Sequence, residues 1–488
     1  MAKNLWELKS RIRRRLQEES GVLRSAGPLR IALCYPSGYS VGMSSLGYQT
    51  IYREIHAHGG ASAERAFLPD DPAEYRSLNA PVFTYETETP LGDLPVLAFS
   101  ISYELEIAGF LEILDLCGIP PLRTQRTGRH PMIVAGGPLT FSNPLPLAPF
   151  ADLILLGEGE ELIHTFLDAA AVMGREELLG RFAALPGGYV PGRTAALPPV
   201  MKADNERLPA YSQILARESV LSSMFLIEPE RGCSRGCTYC VMRRTTNGGM
   251  RLVPAEKVLS LIPDQARRVG LVGAAVTDHP RIEEIVHAIV AGGREIGISS
   301  LRADRLTERL VELLRRGGYR TLTTAADGAS QRLRDAVQRR TTEQHLIRAA
   351  ELARRFGLER LKLYEMIGLP GETLEDVDEL VRFVGELGRI AAVSLGIAPF
   401  VAKRNTPLDG QPFEPIRSLE NKMARLRAGL KNRAEIRPVS ARWAWVEYRL
   451  SQGAEAEGLA ALEAWRAGGT YAAWKRALSQ DGGFRSGS

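Results

Sequence analysis

Between residues 224 and 398 the sequence alternates short apolar or β-branched runs with longer stretches whose apolar residues recur every three or four positions. The runs 224–228, 270–276, 297–301, 321–325, 361–367 and 392–398 read as strands, and 256–269, 281–296, 306–316, 330–337, 342–356 and 374–387 as helices. Strands that are apolar on both faces need a sheet covered on both faces, which in practice means a parallel sheet wrapped by its own crossover helices. Six β/α units in a row predict a partial (β/α)6 barrel of TIM type, with function on the loops at the carboxyl ends of its strands. A shorter α/β series precedes it, with strands at 30–34, 96–101, 132–135 and 153–156 and helices at 46–56 and 105–117. That pattern predicts a doubly wound, Rossmann-like sheet that binds ligands at its carboxyl edge.

The expected organisation is an N-terminal helix within 1–27, a doubly wound domain over 28–200, a barrel over 218–410 and a helical region over 411–488. The first helix carries Leu5, Leu8, Ile12 and Leu16 on one stripe, and a stretch rich in Pro and Gly at 187–211 links the two sheets. Four of the five tryptophans, Trp443, Trp445, Trp465 and Trp474, fall in the last region and read as core anchors of a small helical domain. The N-terminus has no apolar core of a signal peptide, and no run approaches the ~18 apolar residues of a membrane span. A cytoplasmic protein is expected. Sixty-two basic and 57 acidic residues are interspersed without a basic stripe, so nucleic acid is not indicated.

Five cysteines are present, and three of them, Cys233, Cys237 and Cys240, lie within eight residues in the spacing C-x3-C-x2-C. They follow the apolar strand MFLIEP on a loop containing Gly232 and Gly236, with Tyr239 just before the third. In a reducing compartment such clustering favours metal over disulfide. A zinc site would want a fourth ligand from a second paired C-x2-C unit, which the sequence lacks. Three thiolates can instead each hold one iron of a [4Fe-4S] cubane and leave the fourth iron open. The amino and carboxylate groups of S-adenosylmethionine (SAM) can chelate that iron, and one electron passed to the sulfonium cleaves a carbon–sulfur bond.

With these residues the chain resembles the radical SAM superfamily over 228–399. Its segment KLYEMIGLPGETLEDV (362–377) is similar to the superfamily's fifth-strand motif, in which Ile367, Gly368 and Gly371 would form a turn against the adenine. Ser300 and Arg302 occupy a strand end where relatives hold the methionine moiety. Thr277, followed by Asp278, stands where the second-strand motif binds the amino group, although Gly-Gly-Glu is absent. Asp327 stands where relatives carry Glu against the ribose, and Tyr239 joins the cofactor residues beside the cluster. The resemblance implies [4Fe-4S] and SAM as cofactors, and an external electron donor such as a flavodoxin or ferredoxin.

The segment 134–162 resembles the cobalamin-binding domains that precede many radical SAM enzymes. The resemblance places Gly136 and Gly137, with Ser100 and Ser102, along the nucleotide tail of a cobalamin. Families that ligate cobalt from below carry Asp-x-His-x-x-Gly after the first strand, whereas this loop reads CYPSGYSVGMSSLG without histidine. His56 and His58, a helix later, read as exposed helix-end residues. Either cobalamin binds here without a protein imidazole or the domain has lost it. The segment around Tyr39, Met43 and Ser44, together with the C-terminal tail, is similar to an uncharacterised group of such proteins. The implied function is a cobalamin-dependent radical methyltransferase acting at a poorly reactive carbon; the alternative is a radical rearrangement, oxidation or cyclisation with a vestigial cobalamin domain. Methylthiolation would need three further cysteines before the barrel, where only Cys34 and Cys117 exist. A non-catalytic sensor would not need the adenine motif.

Overall fold

A computed structural model of the protein describes residues 4–25, 27–244, 248–299 and 301–479. It forms two compact units: the residues up to Met224 joined by those from Gly453 on, and Phe225–Gln452.

In the first unit, helix α1 (Leu5–Gln17) precedes β1 (Leu29–Tyr35), α2 (Leu46–Ala57), β2 (Ala61–Phe67), β3 (Val96–Ser100), α3 (Glu106–Leu116), β4 (Met132–Gly136), β5 (Leu153–Leu155), α4 (Glu160–Val172) and the short β6 (Gly188–Tyr189). The sheet order is β2-β1-β3-β4-β5-β6, parallel except for β6. Successive strands fall on opposite sides of β1, so the carboxyl ends of β1 and β3 flank the switch point where doubly wound sheets bind ligands. Register sets Cys34 against Phe99 and Ser100 against Gly136 across that edge.

Strand β2 was not expected from the sequence. All seven of its residues are buried, yet two are Glu64 and Arg65. Buried charges persist only when paired. Arg65, fully buried, pairs with Glu19 at 2.8 Å and Glu86 at 2.6 Å, and Glu19 also accepts from the Tyr39 hydroxyl at 2.7 Å. This cluster fixes the 35–44 loop from beneath, because Arg65 also donates to the Met43 thioether at 3.4 Å.

The second unit runs β7 (Met224–Ile227), α5 (Ala255–Ser260), β8 (Arg268–Leu271), α6 (Ile282–Ala291), β9 (Glu295–Ile298), α7 (Glu308–Arg316), β10 (Thr321–Ala325), α8 (Gln331–Ala336), α9 (Glu343–Arg355), β11 (Arg360–Ile367), α10 (Leu374–Ile390), β12 (Val393–Pro399), α11 (Ile416–Gly429), β13 (Ala434–Pro438) and α12 (Ala441–Gln452). Strands β7, β8 and β9 form one sheet and β10 to β13 another, and a bridge from Leu301 to Thr324 joins them in parallel. The result is the expected open barrel with one strand more than the sequence suggested. Strand β13 pairs in parallel with β12 inside a stretch expected to be wholly helical. The helix expected over 256–269 ends at Ser260, since Pro263 cannot continue it.

The last helices, α13 (Glu455–Arg466) and α14 (Tyr471–Ser479), belong to the first unit, where Trp465 donates to Glu112 at 3.0 Å and Trp474 is 2% exposed. Trp443 and Trp445 lie on α12 in the other unit, and Trp443 is 37% exposed. The four tryptophans therefore do not share one helical core. Among the described residues, no helix is long and apolar enough to cross a membrane.

Candidate functional site

After β7 the chain makes a two-residue antiparallel ribbon, Glu230–Arg231 against Arg251–Leu252, that closes the base of the cysteine loop. Gly232 opens the loop at φ +86°, and a Cβ there would stand 2.2 Å from the Gly249 carbonyl oxygen, so only glycine fits. A bond from Thr238 N to Val337 O (3.1 Å) moors the far side of the loop to the end of α8. Cys233, Cys237 and Cys240 then line one cavity of about 150 Å³ at the barrel's carboxyl end. Burial pushes the Cys233 thiol up and the Cys240 thiol up to about 11, so thiolates here need a cation to hold their charge. Among the described residues, no three His, Cys, Asp or Glu side chains gather as ligands of a single ion. A cubane asks for something different, three thiolates at three separate corners, and the loop fits that group.

Tyr239 lines the same cavity and donates to Asp327 at 2.7 Å. Burial, and then the Asp327 charge, raise its pKa well above the phenol range, so it stays a donor. Asp327 sits at φ +59° and also meets Arg339 Nε at 3.1 Å; Arg339 reaches back to the Ala325 carbonyl at 2.9 Å. Arg302 lines the opposite wall, 5% exposed, with its guanidinium on Asp304 (2.8 Å) and Asp278 (3.2 Å). Arg235 from the cysteine loop meets Asp304 at 2.8 Å, and Ser234 donates to Asp278 at 2.6 Å. Two carboxylates thus interleave two guanidiniums and lock the cysteine loop to the barrel. Burial opposes ionisation of Asp304, but Arg302 and Arg235 outweigh it and hold its pKa below the usual range.

Thr277 stands behind this wall, where its hydroxyl accepts from the Arg302 backbone N–H at 3.1 Å. Ser300 lies outside the described residues. Ile367, Gly368 and Gly371 form the turn after β11 but do not line the cavity; Gly368 (φ +83°) abuts Leu419, and its N–H donates to Glu372 at 2.9 Å. Glu372 is in turn held by Lys422 Nζ at 2.8 Å. The remaining cavity wall comes from residues that sequence reading passed over, among them Ala274, Thr323, Tyr364, Arg243 and Arg339. Their common signal is position: Ala274, Thr323 and Tyr364 lie on or just after barrel strands, Arg243 on the cysteine loop, and Arg339 just past α8. Beneath the 272–275 loop, Glu230 is fully buried; one oxygen accepts from Ala275 N at 2.8 Å, the other has no partner, and burial pushes its pKa up to about 7.

In the first unit, Ser100, Ser102, Gly136 and Gly137 stand together at the carboxyl ends of β3 and β4. Gly137 is at φ +98° with the Ile101 backbone 2.7–2.8 Å from where a Cβ would be, whereas a Cβ on Gly136 would meet nothing closer than 3.6 Å. The Ser102 hydroxyl shares a 2.9 Å hydrogen bond with Tyr35, and Glu106 receives Ser102 N at 2.6 Å and Ser37 Oγ at 3.0 Å. None of the unit's four histidines is on this edge: His56 and His58 follow from the far end of α2, His130 precedes β4, and His164 lies within α4, 3.0 Å from Glu54.

Residues 47–191 match the family of N-terminal domains of radical SAM proteins, and residues 227–384 match the radical SAM superfamily itself. The chain belongs to the radical SAM superfamily. An uncharacterized protein of Methanocaldococcus jannaschii is 27% identical over 79% of this radical SAM chain and 80% of its own. An uncharacterized methyltransferase of Pyrococcus horikoshii is 25% identical over 52% of this chain and 58% of its own. The structure of OxsB, a cobalamin-dependent SAM radical enzyme with aqua-cobalamin bound, shares the fold at a TM-score of 0.54 and 14% identity, covering 83% of this chain and 56% of that one. The chain therefore spans little more than half of the latter two proteins.

As a radical SAM enzyme the protein takes a [4Fe-4S] cluster and SAM, and the cluster when bound supplies the electron that splits SAM's carbon–sulfur bond. The chain's own residues hold the loop in place through the Arg235–Asp304–Arg302 lattice and close its other flank with Tyr239 and Asp327.

Proposed function

We propose that this radical SAM enzyme is a cobalamin-dependent methyltransferase acting at a poorly reactive carbon, with Cys233, Cys237 and Cys240 on the cluster. Tyr239 and Arg302 line the cavity assigned to SAM, Thr277 and Asp327 brace its walls, the turn of Ile367, Gly368 and Gly371 is assigned the adenine beyond it, and Ser300 is assigned by the resemblance alone; Ser100, Ser102, Gly136 and Gly137 are assigned the cobalamin tail. The observation that carries the reading is the carboxyl edge of the first sheet. At its switch point stand small residues, with exposed Val41 and Tyr103 on the adjoining loops and no imidazole among the described residues. The residues present fit a cobalamin held without a histidine below cobalt. Cobalamin, when bound, supplies a methyl carrier that reaches carbons too poor in electrons for direct transfer from SAM. The fold shared with a cobalamin-dependent enzyme and the archaeal methyltransferase relative support the same choice. A radical reaction without methyl transfer is the second reading. The Tyr35–Ser102 and Glu106 hydrogen bonds favour it, because they already tie the β1 and β3 loops across the switch point. Protein reconstituted anaerobically with hydroxocobalamin and then desalted decides between them. Retention of about one cobalamin per chain, and label in product from SAM carrying a trideuterated methyl group, support the methyltransferase. A chain that keeps none leaves the second reading.

A further inference from the structure

Most arginines around the cysteine loop are spent on carboxylates. Arg231 meets Glu228 at 2.8 Å, Arg235 meets Asp304, Arg302 meets Asp304 and Asp278, and Arg339 meets Asp327. Three are not. Arg243 lines the cavity and reaches only the Gly236 carbonyl, at 3.5 Å. Arg244 and Arg340 are exposed and form no ion pair with a described residue. Both belong to segments that adjoin Cys237. Cys237 Sγ packs 3.8 Å from the carbonyl oxygen of exposed Gln338, two residues before Arg340. On the other flank Arg244 folds back over the loop, its N–H bonded to Arg235 O at 2.6 Å and its Nε 3.7 Å from where a Gly236 side chain would begin. The turn carrying Arg340 is held open by left-handed backbone at Gln338 (φ +55°) and Arg340 (φ +59°), a conformation that non-glycine residues adopt at a cost. Asp335, one turn back on α8, is taken up by Gln331 at 2.8 Å. On this side exposed Gln338 covers Cys237, with the exposed, unpaired Arg244 and Arg340 on the adjoining segments.

We propose that this surface, centred on Gln338 and flanked by Arg244 and Arg340, is the docking site of an acidic one-electron carrier protein that reduces the enzyme. The proposal rests on the radical SAM reading and is independent of methyl transfer. Docking transfers one electron: the carrier is oxidised by one, the enzyme is reduced by one, and no bond or proton changes hands. Free guanidiniums beside the shortest path to an iron ligand attract a negatively charged partner, and such steering raises association rates by roughly ten- to a thousand-fold at low ionic strength.

The test is stopped-flow reduction of the reconstituted holoenzyme by flavodoxin hydroquinone, with dithionite as the small-molecule control. Arg244→Glu with Arg340→Glu should slow reduction by flavodoxin tenfold or more at low salt, and the difference should shrink at high salt. Iron content and reduction by dithionite should stay within about twofold of wild type. Arg427→Glu, on an exposed arginine at the amino-end side of the barrel, should change neither rate. If the double reversal loses iron, Arg244→Gln and Arg340→Gln decide, each expected to slow flavodoxin reduction severalfold. Flavodoxin rates that match wild type in iron-replete variants, or that ignore salt in the wild type, overturn the proposal. A wild-type protein that binds no iron, or does not cleave SAM under dithionite, overturns the radical SAM reading instead.

Discussion

Replacing Lys422 by Met tests how the turn after β11 is held. Lys422 is 5% exposed on α11, and its ammonium lies 2.8 Å from Glu372 and 2.7 Å from Glu414. Glu372, with no exposed side-chain surface, spends the same oxygen on the Gly368 N–H, so the chain Lys422–Glu372–Gly368 fixes backbone that is already left-handed. Burial works against the charge on Lys422, but the bonds to Glu372 and Glu414 outweigh it and raise its pKa. Burial raises the pKa of Glu372 even with the lysine present. Removing one partner of a buried pair costs about 3–5 kcal/mol. For a unit of 150–250 residues that lowers Tm by roughly 6–20 °C. In the variant Glu372 loses its cation, so its folded pKa rises further above the unfolded carboxylate value of about 4.3. A raised folded pKa gives stability that is full below the unfolded value and lost as pH rises. The deficit against wild type should therefore be larger at pH 8 than at pH 5, and Glu372→Gln added to Lys422→Met should recover part of it. Thermal melts at both pH values measure this. A variant that melts with wild type at pH 8, or whose deficit grows on acidification, refutes the reasoning.

Replacing Cys233, Cys237 and Cys240 together by Ala should abolish the binding of about four irons, while Cys34→Ser and Cys117→Ser, in the other unit, should keep it; an iron assay on reconstituted protein reads both. Gly137→Ala would put a Cβ 2.7 Å from the Ile101 carbonyl at φ +98°, and should destabilise the first unit by about 2 kcal/mol or more; an unchanged urea midpoint for that unit would mean that β4 ends differently. Burial pushes Glu365 up to about 8, against the pull of Arg334, so its contribution is complete below pH 4–5 and is lost as pH rises through 8. Glu365→Gln should flatten the fall in stability between pH 6 and 9, and an unaltered slope would place that fall elsewhere.

The barrel was legible where β-branched or large apolar residues recur along a strand between amphipathic helices: β10 has the residues expected, β11 starts one residue earlier and β12 is shifted by one. Strands β2 and β13 escaped because each has a single large apolar residue, Phe67 in one and Ile436 in the other, beside Glu64 and Arg65 or Glu435 and Arg437. In β2 those charges are buried and paired, and pairing across 21 to 46 positions leaves no local signature. The cysteine loop was legible because its ligands are three neighbours on one loop. The facing wall was not, since Ala274, Thr323, Arg339 and Tyr364 come together only once the barrel curls. Lys422 read as one more surface lysine, because nothing along the sequence shows that two carboxylates converge on it.

The barrel does not close, and an unclosed sheet ends in a strand with a free row of backbone donors and acceptors. One such strand is β13, which pairs with β12 alone among the described strands. Such an edge invites a strand of another molecule. Its residues answer the invitation poorly: Pro438 offers no N–H, and Glu435 is flanked by Arg437 at 2.8 Å and Arg360 at 2.6 Å, all three partly or fully exposed. A strand adding to this edge would have to bury that charge trio, a cost that protects the protein from ordered aggregation while its chemistry proceeds at the opposite end of the sheet. Making Glu435 and Arg437 both valine would leave the fold's core contacts intact and open a growth point for fibres.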